Sequence, residues 1–167
     1  MVLCPGAEFG PSKRWPESYY AQLANHYLAC GWQIWIFGSP KDQEVAQAIQ
    51  VLTQKRCIDL TGRTTLADAI DLMALANRVV SNDSGLMHMA AAVGTPTIGL
   101  FGPSDDRMYA PYCAAEVPIN QVIRIPESVD DLKKRPDFSF NAPHTFMNNL
   151  KPEVVLQVLE KMWSQQA

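Results

Sequence analysis

Residues 78–101, RVVSNDSGLMHMAAAVGTPTIGLF, decide the fold. Arg78-Val79-Val80-Ser81 is a β-branched run of strand length, and Asn82-Asp83-Ser84-Gly85 is a turn. Residues 86–93 then form a short helix, whose Ala90-Ala91-Ala92 run lets it lie close to a sheet. Thr97-Ile98-Gly99-Leu100-Phe101 is the next strand, ended by Gly102-Pro103-Ser104.

The same alternation continues on both sides. Val2-Leu3-Cys4 reads as the end of a strand, followed by a long turn-rich loop from Pro5 to Trp15. Pro16 suits the first position of a helix in which Tyr20, Leu23, Ala24, Tyr27 and Leu28 share one face, and Gly31 stops it. Gln33-Ile34-Trp35-Ile36-Phe37 is a strand with little polar alternation, as expected where helices cover both faces of a sheet. Ser39-Pro40-Lys41-Asp42 reads as a capping box opening a helix with Val45, Ala48, Ile49 and Leu52 inward. Ile58-Asp59-Leu60 is a short strand, residues 65–75 are a helix, and Val122-Ile123-Arg124-Ile125 is a sixth strand. Residues 126–149, rich in Pro, Asn and charge, read as a long excursion over the surface, and a final helix begins near Pro152. The fold class is therefore α/β: a Rossmann-like, doubly wound parallel sheet in a single domain.

Composition narrows the function classes. The 167 residues are 47% apolar, with 14 basic against 17 acidic side chains and a formal charge of −3, which fits a globular domain and excludes disorder. Apart from Lys133-Lys134-Arg135 there is no basic stripe, so nucleic acid is not expected as a partner. No apolar run approaches the ~20 residues that span a bilayer, and the expected location is the cytoplasm. Cys4, Cys30, Cys57 and Cys113 form no CxxC pair and read as buried, reduced thiols. His26, His88 and His144 are far apart and there is no DxD pair, so no metal is expected. Neither GxGxxG nor GxxxxGK[ST] is present, which leaves dinucleotide dehydrogenases and P-loop NTPases without support.

In such sheets, ligands bind beyond the carboxyl ends of the strands. Three groups there could carry chemistry. Asp83, Ser84 and Gly85 stand at a strand-to-helix junction, where unpaired N–H groups favour an anion, and His88 is one turn further on. The plainer alternative is that Asp83 or Ser84 only caps the helix. Lys13 follows the first strand and could meet a phosphate, or could be a solvated loop lysine. Asp42 follows the second strand and could accept from a ribose diol, or serve only its capping box. Gly62-Arg63-Thr64-Thr65 could line a base pocket or be an ordinary turn. Trp15 reads as core.

Taken together, residues 6–16 (GAEFGPSKRWP), 37–42 (FGSPKD), 81–88 (SNDSGLMH) and 100–104 (LFGPS), in that order, resemble the ADP-heptose:lipopolysaccharide heptosyltransferases, glycosyltransferase family 9. The likeness covers residues 2–112 well, whereas 113–149 match no motif. It implies the C-terminal, donor-binding half of a GT-B enzyme that makes a metal-independent, inverting transfer of heptose from ADP-heptose to the lipopolysaccharide inner core. By motif position it implies Lys13 at the donor diphosphate, where it would stabilise the leaving group. Asp83, Ser84, Gly85 and His88 would surround the phosphates and sugar, Asp42 would meet the adenosine ribose, and Thr64 would lie near adenine.

The family's general base is an aspartate of the N-terminal acceptor domain. On this reading residues 1–167 are one donor-binding domain, the acceptor domain is absent, and the chain alone binds donor without transferring sugar. The implied partners are the nucleotide-sugar donor, that acceptor domain and, through the full enzyme, a lipid-linked acceptor. Lys133-Lys134-Arg135 could give weak peripheral contact with the inner face of the inner membrane, although a solvated loop is the plainer reading. A nucleotide-sugar epimerase of related fold and a non-catalytic nucleotide-binding or assembly module are the alternatives.

Overall fold

The computed structural model describes residues 1–8, 10–112, 120–141 and 146–164. Its six strands are β1 (Val2–Cys4), β2 (Trp35–Ile36), β3 (Ile58–Asp59), β4 (Val79–Asn82), β5 (Thr97–Phe101) and β6 (Gln121–Arg124). They form one sheet in the order β3-β2-β1-β4-β5-β6, with every neighbouring pair parallel. The winding direction reverses between β1 and β4, where Val2, Leu3 and Cys4 pair with Val79, Val80 and Ser81. At such a reversal the loops leaving the two strands turn to opposite sides and open a crevice.

The helices are α1 (Glu17–Ala29), α2 (Gln43–Leu52), α3 (Leu66–Ala74), α4 (Gly85–Ala92), α5 (Asp106–Tyr109), α6 (Val129–Lys133) and α7 (Pro152–Ser164). Leu3, Ile36, Val80 and Ile98 pack in one buried cluster with Tyr20 and Leu23 of α1, Ile49 of α2 and Leu159 of α7. Val2, Cys4, Phe37 and Val79 pack in the other with Ala69 and Met73 of α3 and Ala90 of α4. Alternate residues of β1 thus enter opposite clusters, which is why its sequence is apolar throughout. Each fully buried Leu or Ile contributes about 1.5–3 kcal/mol relative to exposure. Gly99 lets α4 approach the sheet, since a Cβ there would meet Met87 Sδ at 2.7 Å.

Local signals set the element ends. Gly31, at φ +81°, takes the left-handed conformation that ends α1. Thr65 caps α3: its hydroxyl accepts from the Asp68 N–H at 3.2 Å, while the Asp68 carboxylate accepts from the Thr65 N–H at 3.0 Å. Pro16 has extended ψ and is the N-cap of α1, so the helix starts one residue later than expected.

Most described residues of the expected surface excursion over 126–149 are exposed, but parts of it dock against the core. Val129 and Leu132 on α6 are buried, and so are Phe146 and Met147. Two buried apolar residues three apart are enough for one short helix to dock, and the polar residues around them dilute that signal in the sequence. The expected strand 122–125 lies one residue earlier, and α5 was not anticipated by any helical period. Cys4 and Cys57 are buried free thiols as expected, but Cys30 is exposed, because it lies beyond the last buried turn of α1. Cys113, His144 and Phe9 lie outside the described residues.

Candidate functional site

Asn82, at the end of β4, joins the two loops at the sheet reversal. Its side-chain oxygen accepts from the Trp15 N–H and the Tyr20 hydroxyl, each at 3.0 Å. Its amide nitrogen donates to the Pro5 carbonyl at 2.7 Å and more weakly to the Gly6 carbonyl at 3.4 Å. A fully buried amide with its groups so engaged locks the loop after β1 onto the end of β4. Sequence reasoning treated Asn82 only as part of a turn. The one available signal was a polar side chain directly after the buried run Val79-Val80-Ser81. Trp15 is core, as expected: its ring is fully buried and its indole N–H donates to the Leu150 carbonyl at 2.7 Å.

That lock brings Lys13 and the 83–85 turn together. The loop after β1 ends in a single 3₁₀ turn, Pro11–Lys13, and the Lys13 ammonium donates to Asp83 Oδ2 at 2.6 Å. The side chains are 18% and 8% exposed, so the pair is shielded but open on one side. An ammonium has three donors, and this contact uses one.

Neither Asp83 nor Ser84 performs the capping role that the plainer alternative gave them. Ser84 is the N-cap residue of α4 by backbone geometry, yet its side chain makes no cap hydrogen bond and its hydroxyl lies 3.2 Å from that of Ser81. The first N–H groups of α4 therefore have no side-chain cap. Gly85 is exposed, with nothing within 4 Å of where a Cβ would stand. An open helix N-terminus beside a partly exposed ammonium is suited to an anion.

Beside this rim lies a cleft of about 370 Å³, reached by the loops after β1, β2 and β3 and by α4. Phe37, Leu66, Ala69 and Met89 give it an apolar end, while Asp42, Thr64 and Ser84 supply polar groups. Asp42 is buried, and Oδ2 accepts from the Ser39 N–H at 2.9 Å and the Ser39 hydroxyl at 2.8 Å, so the expected capping box is present. Arg14 stands 3.7 Å from Oδ1. Asp42 lines the cleft as well as closing the box, so the two sequence readings are compatible. Gly6 is required here, because a Cβ would come within 2.6 Å of the Asp42 carboxylate. Thr64 is half-buried on the cleft wall. His88 is exposed on α4 and does not line the cleft.

Two fully buried groups near the sheet reversal are held in their neutral forms. Burial pushes the Cys4 thiol up to about 12, against the opposing effect of its hydrogen bond with Ser81. Burial likewise raises the Tyr20 hydroxyl well above its ordinary value.

Elsewhere, among the described residues no three His, Cys, Asp or Glu side chains form a group able to hold a metal ion. Asp105 and Asp106 turn to different partners, Arg107 and Arg124 respectively. In the Lys133-Lys134-Arg135 run, Lys134 pairs with Asp131 at 3.4 Å and Arg135 with Asp137 at 2.9 Å, so two of the three cations have local partners. Among the described residues no helix is long and apolar enough to cross a membrane.

Fold and rim together define a Rossmann-like α/β domain whose loops leave an ammonium and an uncapped helix end at the reversal of its sheet. Residues 1–134 match the model of glycosyltransferase family 9 (heptosyltransferase), and the chain belongs to that family. It is 40% identical over 164 residues to lipooligosaccharide heptosyltransferase 2 of Haemophilus influenzae, covering 96% of this chain and 46% of that protein. It is 36% identical over 168 residues to lipopolysaccharide heptosyltransferase 2 of Salmonella typhimurium, covering 98% and 47%. Among solved structures, the E. coli ADP-heptose LPS heptosyltransferase II superposes with a TM-score of 0.83 at 36% identity, over 99% of this chain and 46% of that one. The chain thus spans a little under half the length of these relatives. The family match favours the transferase reading over the epimerase alternative.

Proposed function

We propose that this chain binds ADP-heptose as the donor-binding half of an enzyme that transfers heptose to the lipopolysaccharide inner core. The observation that carries the reading is the 2.6 Å contact from the Lys13 ammonium to Asp83, which sets the cation beside the turn leading into the uncapped N-terminus of α4, where Ser84 and Gly85 line the cleft. The names of the similar proteins, which include an ADP-heptose LPS heptosyltransferase, support the choice of donor.

In this reading the diphosphate lies over Ser84 and Gly85 within reach of Lys13. The ribose turns toward Asp42, adenine enters the apolar end of the cleft beside Thr64, and the sugar lies near Asp83 and His88. Asp83 acts first by holding the ammonium in place.

Heptosyl transfer makes ADP a leaving group whose negative charge grows as the glycosidic bond breaks. Fixed donors aimed at that charge lower the barrier without reorganising. Lys13 and the α4 N–H groups supply such donors from this chain's own atoms, and the reading assigns the step no metal. The other requirement is a base for the acceptor hydroxyl. We place that base, with the site for the lipid-linked acceptor, in the acceptor domain of full-length family members, so residues 1–167 supply the donor side of the reaction.

Titration calorimetry with ADP-heptose and ADP tests the assignment. Saturable binding of both, with weaker binding of adenosine, is the expected result. Absence of any ADP affinity overturns the assignment.

A further inference from the structure

The loop that carries Lys13 is held from its outer side by a part of the chain that no site motif includes. The Ser12 N–H donates to the Phe140 carbonyl at 3.3 Å. Gly10 faces the same carbonyl: it has φ +104°, and a Cβ there would run into the Phe140 oxygen. Further along, the Trp15 indole donates to the Leu150 carbonyl at 2.7 Å and the Tyr19 hydroxyl to the Asn148 carbonyl at 3.4 Å. A Cβ at Gly102 would meet Met147 Sδ at 2.5 Å and the Ser12 carbonyl at 3.6 Å, so the end of β5 is wedged between Met147 and the Lys13 loop. Phe138 anchors this outer layer, with its ring edge-on to Phe140 at 5.0 Å and tilted against Phe146 at 5.8 Å.

Asn82 fixes the loop at its two ends, Pro5-Gly6 and Trp15. The 3₁₀ turn between them is tied internally by the Lys13 N–H to the Gly10 carbonyl at 3.3 Å and the Arg14 N–H to the Pro11 carbonyl at 3.0 Å. Those bonds shape the turn from within. The Ser12–Phe140 bond, one residue before Lys13, braces it from outside, while the Lys13–Asp83 contact ties the ammonium to the turn before α4.

We propose that Phe138–Phe140, with Gly10 facing it, is a positioning strap that sets where the Lys13 ammonium stands and thereby sets affinity for a nucleoside diphosphate. Gly10 is a positioning residue, because any side chain there displaces the Phe140 carbonyl from Ser12. The proposal rests on the reading of Lys13 as a diphosphate group. Small displacements of a charged group are costly, since its hydrogen bonds to an anion are directional and short.

The test uses Gly10→Ala and Phe138→Ala, each alone and combined with Lys13→Ala, with calorimetric titration of ADP and of adenosine, which lacks the diphosphate. We expect either single variant to weaken ADP about tenfold and adenosine less than about twofold, and to add nothing in the Lys13→Ala background, as for groups acting through one another. Phe138→Ala leaves the Lys13 loop untouched, so it carries the test if Gly10→Ala does not fold. Equal weakening of ADP and adenosine, or undiminished weakening in the Lys13→Ala background, overturns the strap, since a merely structural role gives those results. If Lys13→Ala weakens ADP but neither strap variant does, the strap alone fails. If Lys13→Ala has no effect, the diphosphate assignment fails and takes the strap with it.

Discussion

Replacing Lys13 by alanine gives the most direct measure of how the rim holds an anion. The ammonium is 18% exposed and its partner carboxylate 8% exposed, so both sit where water screens incompletely. At ~4 Å and an effective dielectric near 20, an ammonium attracts a unit phosphate charge by about 4 kcal/mol before desolvation is charged against it. Truncating one partner of a hydrogen-bonded charge pair costs about 2–5 kcal/mol in measured cases. The lower end applies to this partly open site and corresponds to roughly 30-fold in ADP affinity. The α4 terminus, at ~0.3–1 kcal/mol, cannot compensate. Ser84→Ala removes a single neutral hydroxyl, worth about 0.5–1.5 kcal/mol. Calorimetry at fixed ionic strength should therefore rank Lys13→Ala well below Ser84→Ala. The substitution also strands the Asp83 carboxylate opposite the diphosphate. Lys13→Ala combined with Asp83→Asn should recover part of the loss, which separates missing attraction from added repulsion. Equal effects of the two single variants, with unchanged melting, would refute the reasoning.

Other consequences follow from the same geometry. Asn82→Ala strands the buried Trp15 N–H and Tyr20 hydroxyl and should cost about 2–4 kcal/mol in urea denaturation; a loss under about 1 kcal/mol would contradict the lock between β1 and β4. Iodoacetamide at pH 8 should alkylate exposed Cys30 and spare Cys4, whose thiol burial pushes up to about 12, and peptide mapping checks the ratio. Hydrogen bonds from Arg107 hold the Asp105 carboxyl down to about 2. A depressed folded value means that this interaction stabilises fully above the ordinary carboxylate pKa, ~3.9, and is lost as pH falls through about 2. NMR titration of Asp105 should show that midpoint, and an ordinary one would remove the pair from consideration.

Much of the fold was legible because its signals are local. β5 lies where a short apolar run bounded by turn residues predicts it, and α3 follows its capping pair. Within 126–149 the docked parts leave no mark in the sequence, because a short helix and the buried Phe146 and Met147 display no period. The residue types of the site were legible too, since Lys13, Asp42 and the 83–85 turn each follow a strand. Their alternative readings could not be separated until the packing was known. Ser84 looks like a cap in sequence, and only its contact with Ser81 shows that it leaves the helix end open.

By itself the sequence determined the alternation of strands and helices, the family, and which loops carry polar groups, because hydrophobic period, turn chemistry and motif order act over a few residues at a time. The tertiary structure decided that Lys13 meets Asp83 across 70 positions of chain, that Asn82 joins the two loops, and that the Phe140 carbonyl braces the turn from outside. Those contacts depend on strand order and on the direction in which each loop leaves the sheet, and no local pattern of residues encodes a distance between loops that only the assembled sheet brings together.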